Sequence, residues 1–118
     1  MLSRTELLSR ACRALEGHAA MTDAAVAQQL SALPDWALVD GALQRSYRFG
    51  NYYETLAFVN ALAFIVHRED HHPDLVVSFN RCTVRFNPHS VGGISENDFI
   101  CAAKADAVFG QQFGTAAE

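Results

Sequence analysis

Two pairs of short alternating apolar segments, each pair too closely spaced to connect except as a hairpin, flank one long helical stretch, and that order leaves few folds open. The first pair runs from Trp36 to Val39 and then through Leu43, Tyr47 and Phe49, joined by Asp40-Gly41, a dipeptide that accepts the positive φ of a tight turn. Arg45 interrupts its apolar face. The second pair places Leu75, Val77 and Phe79, then Cys82, Val84 and Phe86, around Asn80. Between the pairs, Asn51 offers an N-cap with Glu54 three residues on, and Tyr52, Leu56, Val59, Ala63 and Val66 recur at helical spacing. Phe58, Leu62 and Ile65 form a second stripe, so this helix is apolar over more than half its girth and calls for burial on two sides. A homo-oligomer would supply the second side.

Two further helices complete the order. Thr22-Asp23 caps an alanine-rich run that Pro34 halts after Leu33, and Ser95-x-x-Asp98 resembles a capping box ahead of Phe99, Ile100, Ala102 and Ala103. Helix, hairpin, helix, hairpin, helix with short connections predicts an α+β fold: a four-stranded antiparallel sheet with helices packed on one face. The other face is then solvated or paired with another copy.

With 118 residues, half of them apolar, the chain holds one domain, expected over residues 21–118. A net charge of −4 and a pI near 5.7 carry no electrostatic footprint for nucleic acid. Cys12, Cys82 and Cys101 are odd in number and far apart, which argues against a disulfide framework and for free thiols in the cytoplasm. No apolar run reaches the roughly 18 to 20 residues that span a bilayer. Residues 1–20 stand apart: Arg4, Arg10 and Arg13 lie among leucines and serines, and Met21-Thr22-Asp23 looks like a fresh start. They read as an upstream extension or an extra surface helix ahead of an organellar presequence, which Glu6 and Glu16 disfavour. Truncation to Met21 is expected to leave activity intact.

Asp70-His71-His72-Pro73-Asp74 concentrates titratable groups where a helix must give way to a strand, because proline disfavours helical geometry at His72. If the second hairpin pairs, the start of its first strand lies beside the end of its second, which brings His89 to the same edge as His71 and His72. Imidazole ionises near neutral pH, so several at one site can combine a protonated donor with a neutral acceptor, the division of labour that elimination of water requires. Asp70 or Asp98 is placed to orient a ring. A helix end stabilised by cationic side chains is the bland alternative. A metal site is another, since His67 and His71 are four apart and could share an ion with His89 and a carboxylate, although neither a His-Glu-x-x-His pattern nor a thiolate set is present.

These residues resemble the pterin-4a-carbinolamine dehydratases, also called 4a-hydroxytetrahydrobiopterin dehydratases. The resemblance is carried by His67, His71-His72-Pro73, Phe79, His89 and Asp98, and extends to Trp36 at the first strand and to Gly92-Gly93-Ile94-Ser95-Glu96-Asn97-Asp98 leading into the last helix. It covers the chain from about Leu33 to about Val108. Two positions depart from the family pattern: His67 stands where many members carry glutamate, and Pro88 where many carry a hydroxyl residue.

The resemblance implies dehydration of a 4a-hydroxytetrahydropterin, the product of an aromatic amino acid hydroxylase, to a quinonoid dihydropterin and water. It implies no metal and no organic cofactor. It casts His71 and His89 as general acids toward the 4a-hydroxyl and His72 as the group that binds the pterin and assists deprotonation, roles that can exchange. Asp70 and Asn87-Pro88-His89-Ser90 match positions lining the pterin pocket, with His67, Phe79 and Asp98 in support. A homodimer or homotetramer is implied, without membrane or nucleic acid. The competing function is non-catalytic, a dimerisation cofactor of a transcription factor or a pterin-binding protein.

Overall fold

Asp40 and Gly41 both adopt positive φ, 49° and 81°, so the first hairpin closes in the two-residue turn whose twist matches the strands it joins. The computed structural model describes residues 1–15, 18–87 and 92–112. In chain order these form α1 (Arg4–Ser9), α2 (Asp23–Leu30), β1 (Ala37–Val39), β2 (Ala42–Arg48), α3 (Tyr52–Glu69), β3 (Asp74–Ser78), β4 (Arg81–Phe86) and α4 (Glu96–Gln112). The four strands make one antiparallel sheet in the order β1-β2-β4-β3, as the two-hairpin pattern predicts.

Register separates the two faces of the sheet. Leu43 pairs with Phe86, Tyr47 with Cys82 and Leu75 with Val84, and these positions join Phe58, Leu62 and Val66 of α3 and Phe99, Ile100 and Ala103 of α4 in the core. The opposite face pairs Gln44 with Arg85, Ser46 with Thr83 and Arg48 with Arg81, a polar set suited to solvent.

Asn51 caps α3 as expected, its side chain accepting the Glu54 N–H while Glu54 Oε1 accepts the Gly50 N–H. The buried stripe of α3 is Thr55, Phe58, Leu62 and Val66, whereas Tyr52 and Ala63 of the longer apolar row face solvent. Periodicity alone could not choose between two overlapping stripes; contact with the sheet did. Tyr53 and Phe64 remain 81% and 62% exposed.

The N-terminal residues form a helix that packs on the domain expected over residues 21–118. Ser3 and Glu6 form a reciprocal capping box that starts α1, Leu7 is completely buried in the core, and α1 lies against α4. The Met21 N–H then donates to the Ile94 carbonyl at 2.9 Å. Alongside that bond, a Cβ on Gly93 would stand 2.7 Å from the Ala20 Cβ, so the loop before α4 can take only glycine while the segment stays seated. Gly93→Ala is therefore expected to cost about 1–3 kcal/mol through overpacking, read as a lower Tm by calorimetry; an unchanged Tm would mean that Ala20 does not sit on this loop. Truncation to Met21 removes Leu7 from the core and should destabilise the domain, contrary to its sequence-based reading as dispensable.

Candidate active site

The end of α3 builds the site. Asp70 takes the left-handed conformation (φ 52°, ψ 44°), with its N–H donating to the His67 carbonyl and the His71 N–H reaching back to the Val66 carbonyl. This double bond pattern terminates a helix and normally uses glycine at the left-handed position. Here an aspartate occupies it, and the chain leaves the helix before His71. His67 and His71 consequently do not share a helical face, which removes the i, i+4 geometry that a metal site on this pair would need. Among the described residues no three His, Cys, Asp or Glu side chains gather as a metal-holding set.

His71 is held on three sides. Its backbone is fixed by Val66, its ring stacks on Phe86 with centroids 5.7 Å apart and planes 11° apart, and its Nε2 lies 2.6 Å from Asp98 Oδ1. Asp98 is itself buried in the first turn of α4, where Oδ2 accepts the Ser95 N–H at 2.9 Å, the return half of the predicted capping box. With an ionised carboxylate facing it, Nε2 carries the hydrogen, and Nδ1 is the nitrogen left for a substrate. The arrangement fixes the tautomer and orientation of a single imidazole, which is the preparation a proton-transferring histidine needs.

His72 follows as an exposed residue leading into Pro73 and β3. The antiparallel pairing of Asp74 with Arg85 brings the end of β4 beside the start of β3, and Asn87 Nδ2 donates to Asp74 Oδ2 across that junction while Asn87 Oδ1 accepts from Arg85 Nε at 3.1 Å. Pro88, His89 and Ser90 lie outside the described residues. Phe79 is not brought to the site. It sits at the turn of the second hairpin, the opposite end from His71, where it stacks on Tyr52 with ring centroids 6.4 Å apart and planes within 5° of parallel. Its hydrophobic spacing in the sequence measured distance along the chain, and the hairpin turned that into distance in space.

A cavity of about 410 Å³ opens onto His71 and Asp70, and its remaining wall includes Arg13, Ala14, Leu15 and Asn97. A smaller cavity of about 210 Å³ lies among Met1, Met21, Gln29 and Phe99, away from the histidines. Nothing local in the sequence marks Arg13, Ala14 and Asn97 as site residues, because no pattern ties a position near residue 13 to one near residue 97.

The chain matches the family model described as pterin 4 alpha carbinolamine dehydratase over residues 19–108. It belongs to that family. A Bdellovibrio bacteriovorus protein provisionally named a pterin-4-alpha-carbinolamine dehydratase is 53% identical over 117 residues, covering 96% of each chain, so that match extends into the N-terminal segment before residue 19. A Chromobacterium violaceum protein of the same provisional name is 52% identical over 103 residues, covering 87% of this chain and 95% of its own. Among solved structures, a transcriptional coactivator/pterin dehydratase from Brucella melitensis superposes with a TM-score of 0.72 at 31% identity, over 75% of this chain and 97% of that one. A pterin dehydratase-like protein identified as a RuBisCO assembly factor in the alpha-carboxysome reaches a TM-score of 0.54 at 25% identity, over 64% and 87%. The four-stranded antiparallel sheet with its helices is thus the fold of a pterin dehydratase.

Proposed function

We propose that this member of the family is a 4a-hydroxytetrahydrobiopterin dehydratase. Dehydration breaks the C4a–O bond as the hydroxyl takes a proton and leaves as water, while N5 loses its proton and the C4a=N5 bond of the quinonoid dihydropterin forms. His71, entering the reaction with both ring nitrogens protonated, supplies its Nδ1 proton to the leaving hydroxyl and is left with the hydrogen on the Nε2 that faces Asp98; His89 shares that task, and His72 binds the pterin and receives the departing proton. Asp70, Asn87, Pro88 and Ser90 are assigned to pterin binding. Asp98 acts through His71 and is a positioning residue. Neither metal nor cofactor enters the scheme, because the pterin holds the reactive centre. The observation that carries the reading is the buried Asp98–His71 pair at 2.6 Å on the rim of a cavity, within a chain of this family.

Two associations accompany the proposal. A homodimer or homotetramer would cover Tyr53, Phe64 and the unpaired edge of β3, where Val76 is 67% exposed. The pterin would come from an aromatic amino acid hydroxylase. No helix among the described residues is long and apolar enough to cross a membrane, and three free cysteines suit the reducing cytoplasm in which we place the protein.

The test is stopped-flow dehydration of freshly generated 4a-hydroxytetrahydrobiopterin without added metal. Acceleration by the parent that is lost in His72→Ala and His89→Ala supports the scheme. A folded parent no faster than buffer would favour the second reading, a binding or assembly role resting on the exposed aromatic residues Tyr52, Tyr53, Phe64 and Phe79.

A further inference from the structure

The two helices that deliver His71 and Asp98 also grip the N-terminal segment, through the residues next door. On the α3 side, Glu69 Oε1 accepts the Cys12 N–H at 2.7 Å, and Glu69 Oε2 is held by Lys104 Nζ at 2.7 Å. On the α4 side, the buried Asn97 clamps one residue by both its backbone groups: Oδ1 accepts the Arg13 N–H at 3.2 Å, and Nδ2 donates to the Arg13 carbonyl at 2.7 Å. Glu69 precedes Asp70 and His71, and Asn97 precedes Asp98, so each helix end faces the segment with one side chain and the site with the next.

A segment serving only to cover the core would fill the space beneath it. Here the backbone of Cys12 and Arg13 is suspended by polar side chains, Arg13 and Ala14 stay exposed, and the volume of about 410 Å³ between them and His71 is left open. That volume falls within the span of small-molecule pockets, roughly 300–1,000 Å³. The paired bonds from Asn97 fix the Arg13 backbone on both sides of its Cα as strand pairing would, setting the distance between this wall and the imidazole.

We propose that Cys12–Leu15 forms a wall of the substrate site and that Asn97 is the positioning residue that holds it opposite His71. The proposal rests on the reading of this cavity as a tetrahydropterin site. It assigns to the N-terminal segment a part in substrate binding, with Ala14 the small lining residue at which added bulk would narrow the site.

The test uses the full chain carrying Ala14→Trp or Asn97→Ala. Turnover is followed with 4a-hydroxytetrahydrobiopterin, and binding of the stable 7,8-dihydrobiopterin is followed by calorimetry. Both variants are expected to raise KM and the dihydrobiopterin Kd by about tenfold or more while kcat changes far less. Ala14→Trp should keep the parent Tm, because Ala14 is exposed and makes none of the clamping bonds; it decides the matter alone if Asn97→Ala fails to fold. Folded variants whose KM and Kd stay within about twofold of the parent would overturn the wall. If the parent binds dihydrobiopterin without turning over substrate, the dehydratase reading fails and the Kd ratio still decides the wall; a parent that binds no pterin overturns both.

Discussion

His71→Ala is expected to lower kcat for 4a-hydroxytetrahydrobiopterin by about 10²- to 10⁴-fold, the range that one positioned acid or base contributes. The expectation follows from how the ring is held rather than from the residue type. Stacking on Phe86 and the Nε2 bond to Asp98 leave Nδ1 as the only nitrogen able to meet a substrate. Dihydrobiopterin binding should persist in the variant, because the cavity wall and Asp70 remain. Asp98→Asn separates position from proton transfer: it keeps the shape and removes the charge that fixes the hydrogen on Nε2, so kcat should fall at least about tenfold with an altered pH profile. A His71→Ala enzyme with parental kcat would remove His71 from the reaction. Single-turnover kinetics on the folded variant makes the comparison.

The largest effect on stability belongs to Asp106, which no local pattern in the sequence marks. Its carboxylate is buried on α4 and accepts from Trp36 Nε1 at 3.0 Å, Arg45 at 2.7 Å, the Tyr47 hydroxyl at 2.5 Å and Arg4 at 2.9 Å. These donors come from the approach to β1, from β2 and from α1, so one side chain ties the sheet and the N-terminal helix to α4. Arg45 lies over the Tyr47 ring at 4.3 Å, and its apparent interruption of an apolar strand face is the donor of a buried ion pair. Removing one partner of such a pair leaves uncompensated buried charge and costs about 3–5 kcal/mol. Asp106→Ala should therefore lose roughly 10–20 °C of Tm, measured by calorimetry. Exposed pairs such as Arg10–Glu96 should contribute no more than about 1 kcal/mol each. A Tm within a few degrees of the parent in Asp106→Ala would show that the network does not hold the layers together.

The same network sets an alkaline limit. Burial first, and then the adjacent Asp106 carboxylate, push the Tyr47 phenol above its ordinary value. The unfolded phenol gives up its proton near pH 10 while the folded one keeps it, so above that pH the unfolded state binds fewer protons and stability falls as pH rises. Tm measured between pH 8 and pH 11, taken as a rough bracket of the phenol range, should decline more steeply in the parent than in Tyr47→Phe. Parallel curves would mean that Tyr47 is not the group responsible.

Whatever depends on neighbours along the chain is legible in the residues alone. The Asp40-Gly41 hairpin, the Asn51 and Thr22 caps, the alternation that made β2, β3 and β4, and the return bond from Asp98 to Ser95 all follow from a few adjacent residues, whose φ/ψ preferences and side-chain periods are local properties. The sheet order and the gathering of Asp70, His71 and Asp98 followed from those elements and from the motif they carry. Contact between distant elements was needed to choose which stripe of α3 is buried, to put Phe79 at the far end of its hairpin, and to bring Leu7 of α1 into the core. Arg4 meets Asp106 across 102 positions and Arg13 meets Asn97 across 84. A contact of that separation leaves no periodic trace, because either partner alone looks like an ordinary polar residue, and its free energy exists only once the chain between them has folded.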